Sequence, residues 1–128
     1  MKKVTAAIIL KEEKVLIMRR APGQKHAGSW EFPGGKIEEG ETLEHCLERE
    51  LKEELNIVAS VQRFFYKSDY NYSQGSIQLF AYIVKIIAGD IQLFVHDKLE
   101  WVDKEDLLSF ELLPADVLIA KKIVEEIL

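Results

Sequence analysis

The stretch that decides the reading is Gly35-Lys36-Ile37-Glu38-Glu39-Gly40-Glu41-Thr42-Leu43-Glu44-His45-Cys46-Leu47-Glu48-Arg49-Glu50-Leu51-Lys52-Glu53-Glu54-Leu55-Asn56-Ile57. Leu43, Leu47, Leu51 and Leu55 recur every fourth residue with Cys46 beside them, the spacing of an amphipathic helix between Gly40 and Asn56. Thr42 is placed to cap its start, and Asn56 takes the left-handed position that ends a helix. At about 100° per residue, Glu50, Glu53 and Glu54 fall within a quarter turn of Leu43, with Cys46, Leu47 and Leu51. Glu44, His45, Glu48, Arg49 and Lys52 fall on the solvated side. Three carboxylates on the core-facing side repel one another unless a cation collects their charge. Such a cluster of hard oxygens suits Mg²⁺, with Mn²⁺ as a substitute. The competing readings are a solvated acidic face, against which the helical phase counts, and a structural ion-pair cluster with Arg49 and Lys52.

Working outward, Val4 to Leu10 and Val15 to Met18 read as two strands joined by the tight polar turn Lys11-Glu12-Glu13-Lys14. Arg19 to Ser29 reads as a loop leading into the short segment Trp30-Glu31-Phe32, which Pro33-Gly34-Gly35 breaks. Ile57 to Tyr66 and Ile77 to Ile86 read as strands flanking a turn at Ser73-Gln74-Gly75-Ser76. Ala88-Gly89-Asp90 then punctuates the step to Ile91–Phe94, still in strand-rich sequence. Leu99-Glu100-Trp101-Val102 reads as a further strand. Lys104–Leu108 and Pro114–Leu128 read as helices, the second with Ile119, Ile123 and Ile127 on one side. Alternating helices and strands without repeats or linkers predict one α/β domain spanning 1–128.

The 128 residues are 48% hydrophobic and 30% charged, an ordinary globular balance, with a net charge of -5. That field disfavours long nucleic acid as a partner, whereas a small phosphorylated substrate remains compatible through divalent metal. The single Cys46 forms no intramolecular disulfide, and the first apolar run is too short to span a membrane. A cytoplasmic monomer or dimer without membrane attachment is expected.

Gly35, five residues, Glu41, seven residues, then Arg49-Glu50-Leu51-Lys52-Glu53-Glu54-Leu55-Asn56-Ile57 resembles the signature box of the Nudix hydrolases. The one departure is Asn56, where the family carries a glycine in the same left-handed role. The resemblance implies a Nudix fold, an αβα sandwich around a mixed β-sheet, and Mg²⁺-dependent hydrolysis of a nucleoside diphosphate linkage. By motif position it makes Glu50, Glu53 and Glu54 metal ligands, with Glu53 or Glu54 orienting water. Arg49 would brace Glu50 or Glu41, and the carbonyl of Gly34 would be a further ligand. Glu100 matches the place where many relatives carry an additional acid, as ligand or base; a solvent-facing strand residue is the alternative. Bound metal would neutralise phosphate charge and acidify the attacking water. Arg20, near the end of the second strand, is a candidate for a substrate phosphate.

The length, the run Trp30-Glu31-Phe32-Pro33-Gly34-Gly35-Lys36-Ile37-Glu38 and the segment Leu113-Pro114-Ala115-Asp116 resemble the MutT-like branch. That branch acts on nucleoside triphosphates, often oxidised ones such as 8-oxo-dGTP, yielding monophosphate and pyrophosphate in nucleotide-pool sanitation. The resemblance implies that Asp116 reads the base. As an ionised carboxylate it would suit the adjacent N1–H and N2–H₂ donors of a guanine-type edge; protonated, it would serve cytosine. Capping the last helix is its alternative role. Trp30 and Phe32 are candidates for base stacking or for the core. The alternatives are a pyrophosphohydrolase of CTP or 5-methyl-dCTP, then an ADP-sugar or dinucleoside polyphosphate hydrolase. A Nudix-like nucleotide-binding module without catalysis stands against the intact acids, and RNA 5′-end processing stands against the acidic surface.

Overall fold

The computed structural model describes residues 2–73 and 75–126. Its two leading strands, β1 (Lys2–Lys11) and β2 (Lys14–Arg20), are buried on both faces. β1 sends Ala6 and Ile8 to one side and Ala7 and Ile9 to the other; β2 does the same with Val15 and Ile17 against Leu16 and Met18. That two-sided burial is why both strands read as continuous apolar runs. Leu47, Leu51 and Leu55 of α1 (Leu43–Leu55) cover one face, and Ile119, Ala120 and Ile123 of α2 (Pro114–Glu126) cover the other. The layers form an αβα sandwich around a mixed sheet.

β1 pairs in parallel with β5 (Gly75–Ala88), which pairs antiparallel with β4 (Val58–Tyr72); β2 pairs antiparallel with β3 (Trp30–Glu31) and β6 (His96–Asp103). The β1–β2 hairpin turns through Glu12 and Glu13, whose φ values of 51° and 69° are those of a primed two-residue turn. The two strands pair only at Leu10↔Val15 and Lys11↔Lys14. Beyond these pairs they diverge, and residues 30–37 fill the opening. Trp30 and Glu31 pair with β2; the Ala7 amide then donates to the Pro33 carbonyl (2.7 Å), and the Thr5 amide to that of Gly35 (2.8 Å).

The helix of the decisive stretch forms with the expected ends. Thr42 Oγ1 accepts from the His45 amide (3.1 Å), and Asn56 adopts φ 60°, ψ 35°, its amide donating to the Lys52 carbonyl. Two expectations change. The strand expected to end at Tyr66 runs on to Tyr72, residues 68–72 alternating between exposed and inward positions; Ser68 is buried with its hydroxyl on the Ala115 carbonyl (3.2 Å). Ile91–Phe94 is not a strand: the Gln92 and Phe94 amides donate to the Leu55 and Glu54 carbonyls, satisfying the open end of α1 rather than a sheet ladder. The helix expected at Lys104–Leu108 forms as a 3-10 helix over Lys104–Ser109. Met1, Gln74, Ile127 and Leu128 lie outside the described residues. No helix among the described residues is long and apolar enough to cross a membrane.

Candidate active site

A cavity of about 440 Å³ opens where the 30–37 segment, α1, β1, β5 and the start of α2 meet. Glu50, Glu54, Gly34 and Gly35 line it, as do Phe32 and Asp116, with Arg20, Lys25 and Lys36 among the cationic residues in its wall. The Gly34-Gly35 pair makes close contact possible. Gly34 has φ 152°, and a β-carbon there would overlap the Thr5 carbonyl. A β-carbon at Gly35 would overlap the Glu50 carboxylate. Thr5 Oγ1 donates to the Gly35 carbonyl (3.0 Å) and Cys46 Sγ to that of Lys36 (3.3 Å), so β1 and α1 hold the glycine turn from both sides.

The three helical acids are graded by phase. Measured from the mean direction of the four leucines rather than from Leu43 alone, Glu54 lies about 40° away, Glu50 about 80° and Glu53 about 140°. Accordingly the Glu50 side chain is 17% exposed and the Glu53 side chain 54%. Burial pushes Glu50 up, against the pull of the Arg49 guanidinium, and pushes Glu54 up to about 7, opposed by His96. Glu54 Oε1 is buried without a hydrogen-bond partner among the described residues. That orphaned oxygen is one a cation would satisfy.

Arg49 starts on the outward side of α1, yet its side chain folds back and gathers the remaining acids. Its Nε and Nη2 form a bidentate pair with Glu41 (2.6 and 3.0 Å), and Nη1 donates to Glu50 (3.0 Å) and Glu53 (2.8 Å). Nη2 also donates to the Lys36 carbonyl (3.2 Å). This fork holds Glu41 down to about 2, chiefly through its hydrogen bonds. Both partners expected for Arg49 are therefore engaged, and Lys52 stays exposed outside the cluster.

Among the described residues no three Asp, Glu, His or Cys side chains are grouped tightly enough to hold a metal unaided. Mg²⁺ characteristically takes one or two carboxylates and completes its shell with water and substrate phosphates. Glu50, Glu54 and the Gly34 backbone, bordering one cavity, fit that demand. Glu53 is turned to Arg49. Glu100 lies on β6 opposite Ile17, its side chain 42% exposed and 3.8 Å from Lys98, outside the cavity lining.

At the other end, Asp116 is only 6% exposed. Its Oδ1 accepts from the Phe32 amide (3.0 Å), and burial, with Glu31 nearby, holds its carboxyl well above the usual range. It sits within the first turn of α2, after Pro114 and Ala115, so it does not occupy the capping position. Phe32 is buried and borders the cavity; Trp30 packs edge-on against Phe110 in the core, ring centroids 5.1 Å apart.

Sequence reasoning did not single out Glu31 or His96. Arg20 Nη1 donates to Glu31 Oε2 (3.1 Å), and His96 Nε2 lies 2.8 Å from the same oxygen. A β-bulge produces this arrangement: Arg19 pairs with Lys98, but Arg20 pairs with His96, skipping Asp97. Asp97 takes Arg19 in a bidentate pair (2.9 and 3.0 Å), leaving Arg20 to the cavity. The only local signal was an acid set between two aromatic residues, Trp30 and Phe32.

The chain matches the model of the NUDIX domain over residues 1–127. It is 39% identical over 114 residues to the CTP pyrophosphohydrolase of Escherichia coli K12, covering 89% of this chain and 84% of that protein. It is 34% identical over 126 residues to the 8-oxo-dGTP diphosphatase of Haemophilus influenzae, covering 96% and 91%. The solution structure of the E. coli ORF135 protein superposes with a TM-score of 0.88 at 36% identity, covering 98% of this chain and 89% of that one. With its helical acids and glycine turn assembled around one cavity, the chain belongs to the Nudix family, as a pyrophosphohydrolase of the MutT-like branch.

Proposed function

We propose that this protein is a Mg²⁺-dependent pyrophosphohydrolase of a nucleoside triphosphate, releasing the monophosphate and pyrophosphate. The observation that carries the reading is one cavity with acids and a glycine turn at one end and the buried Asp116 at the other. Glu50, Glu54 and the Gly34 carbonyl would hold the cation, with Mn²⁺ as a substitute. Bound there, the cation supplies charge neutralisation at the phosphates and a more acidic attacking water. Arg49 keeps Glu50 and Glu53 oriented, and Gly35 leaves the space that Glu50 fills. Glu54 Oε1 accepts a cation or a proton in a buried setting. Arg20 faces the phosphates. Glu53 and Glu100 are retained as outer candidates for orienting water, reached only if the substrate complex draws them in.

Asp116 favours a particular kind of base. A neutral carboxyl offers one donor beside one acceptor, the pattern that complements N3 and N4–H₂ of cytosine. On its Hoogsteen edge 8-oxoguanine offers O6 and N7–H to the same pattern, whereas unmodified guanine read on that edge has acceptors at both places. The burial of Asp116 therefore supports a cytosine nucleotide first, in line with the 39% identical relative, and 8-oxo-dGTP second. This exchanges the order expected from an ionised Asp116.

The test is kcat/KM with Mg²⁺ for CTP, dCTP, 5-methyl-dCTP, 8-oxo-dGTP, dGTP and ADP-ribose, with products identified. Cytosine nucleotides ranked first, and dGTP well below 8-oxo-dGTP, are the expected results. Preference for dGTP over both would overturn the reading of Asp116, and turnover of none would leave only a nucleotide-binding module.

A further inference from the structure

Arg20 is an arginine at a strand end, a position where a long side chain ordinarily samples many rotamers. Here it is held at two points: Nε donates to the Lys25 carbonyl (2.6 Å) and Nη1 to Glu31 (3.1 Å). Glu31 is in turn held by His96, with Nε2 2.8 Å from Oε2. With a carboxylate as acceptor, Nε2 carries the proton. The His96 ring is buried, and its Nδ1 has no partner among the described residues. An unpaired buried nitrogen destabilises a fold. An apolar side chain would fill the same space without that loss but would release Glu31, so what the histidine adds is its hold on Glu31. The β-bulge at Arg19–Arg20 likewise interrupts the β2–β6 ladder for the sake of bringing Arg20 opposite His96.

We propose that His96 is a positioning residue for substrate phosphate: it fixes Glu31, and Glu31 fixes the Arg20 guanidinium in the cavity wall. The inference rests on reading the cavity as a nucleoside triphosphate site. Among the described residues Arg20 Nη2 has no hydrogen-bond partner, so the clamp leaves one edge of the guanidinium for a phosphate oxygen. Glu31 orients the arginine by a short chain of contacts across three strands: β2 bears Arg20, β3 bears Glu31 and β6 bears His96. Without His96, Glu31 keeps its charge but loses its fixed direction, and Arg20 loses its pre-arranged geometry.

The experiment compares wild type, Arg20→Ala, His96→Ala, His96→Leu, His96→Gln and the Arg20→Ala/His96→Ala double variant. Binding of the α,β-imido analogues of CTP and 8-oxo-dGTP with Mg²⁺ is measured by calorimetry, alongside kcat and KM. His96→Ala and His96→Leu should weaken analogue binding and raise KM by about tenfold, the scale of one well-placed charge-assisted contact. The kcat should stay within about twofold. The double variant should match Arg20→Ala alone, and His96→Gln, whose amide can donate to Glu31, should recover most of the loss. His96→Leu preserves packing, so it carries the comparison if His96→Ala does not fold. Losses that multiply in the double variant, a kcat effect at constant KM, or no recovery with glutamine would overturn the inference while leaving the pyrophosphohydrolase reading intact. Failure of wild type to bind either analogue would overturn both.

Discussion

The Glu50 carboxylate rests on the backbone of Gly35, in the space where any other residue would put a β-carbon. A helical acid and a loop glycine are thereby fitted to each other. Gly35→Ala should displace Glu50 and lower kcat by about a hundredfold, as misplacement of a catalytic group by an ångström does. The melting temperature should fall only modestly, because the turn is partly exposed at this point. Steady-state kinetics with thermal melting separates the two; an active alanine variant would contradict this fit.

Glu54 and Glu53 are neighbours with opposite environments. Glu54 is held up to about 7 by burial, whereas Glu53 is half exposed on Arg49. Without metal, Glu54→Gln should raise the melting temperature at pH 8 by removing a carboxylate that ionises in a buried place. With Mg²⁺ it should lose most activity. Glu53→Gln should leave the metal-free melting temperature nearly unchanged and reduce turnover less than Glu54→Gln. Equal losses of turnover would show that Glu53 moves into the site with substrate.

Arg49 joins Glu41, Glu50 and Glu53 through a planar fork that lysine lacks. Arg49→Lys should therefore reduce activity by about ten- to a hundredfold, the usual loss when a partner that orients metal ligands is removed. The pH dependence has a defined sign. Glu41 titrates at about 2 instead of its ordinary 4.5, so its contribution to stability is complete above about 4.5 and is lost as pH falls toward 2. The melting-temperature gap between wild type and Glu41→Gln should narrow over that interval. A gap independent of pH would exclude the ion pair as its source.

Asp116 has the reverse sign. Its folded carboxyl titrates well above the ordinary 3.8, so stability declines as pH rises from that value toward the folded one. Asp116→Asn, which presents a donor and an acceptor at every pH, should melt higher than wild type at pH 8 and flatten the dependence. It should retain turnover of the preferred nucleotide, while Asp116→Ala, leaving the Phe32 amide unpaired, should lose both stability and affinity. Calorimetry and kcat/KM across pH 5–9 check these outcomes.

The sequence carries α1 and its acids because everything needed is local: the leucine period, the Thr42 cap, the Asn56 stop and the helical phase. Phase taken from Leu43 alone puts Glu53 on the core-facing side with Glu50 and Glu54, whereas its side chain is 54% exposed, and the reach of Arg49 back over the helix is a property of a long side chain that phase does not describe. The two faces of β1 and β2 follow from their unbroken apolar runs. What was hidden depends on strand pairing. Glu31 and His96 lie 65 positions apart and meet only because β2 pairs with both β3 and β6, with a bulge setting the register. The raised carboxyl of Asp116 was hidden for a similar reason, since it depends on burial against a segment 84 positions away.

Residues 32–35 have a consequence of length. Phe32 donates its amide to the buried Asp116, and Gly35, three residues on, is where Glu50 rests. Three peptide steps span at most roughly 10 Å. The two ends of the cavity are thus joined by a covalent spacer that cannot stretch. For a nucleotide held by its base at Asp116, as proposed, this spacer would act as a ruler that selects which phosphoanhydride bond reaches the acids.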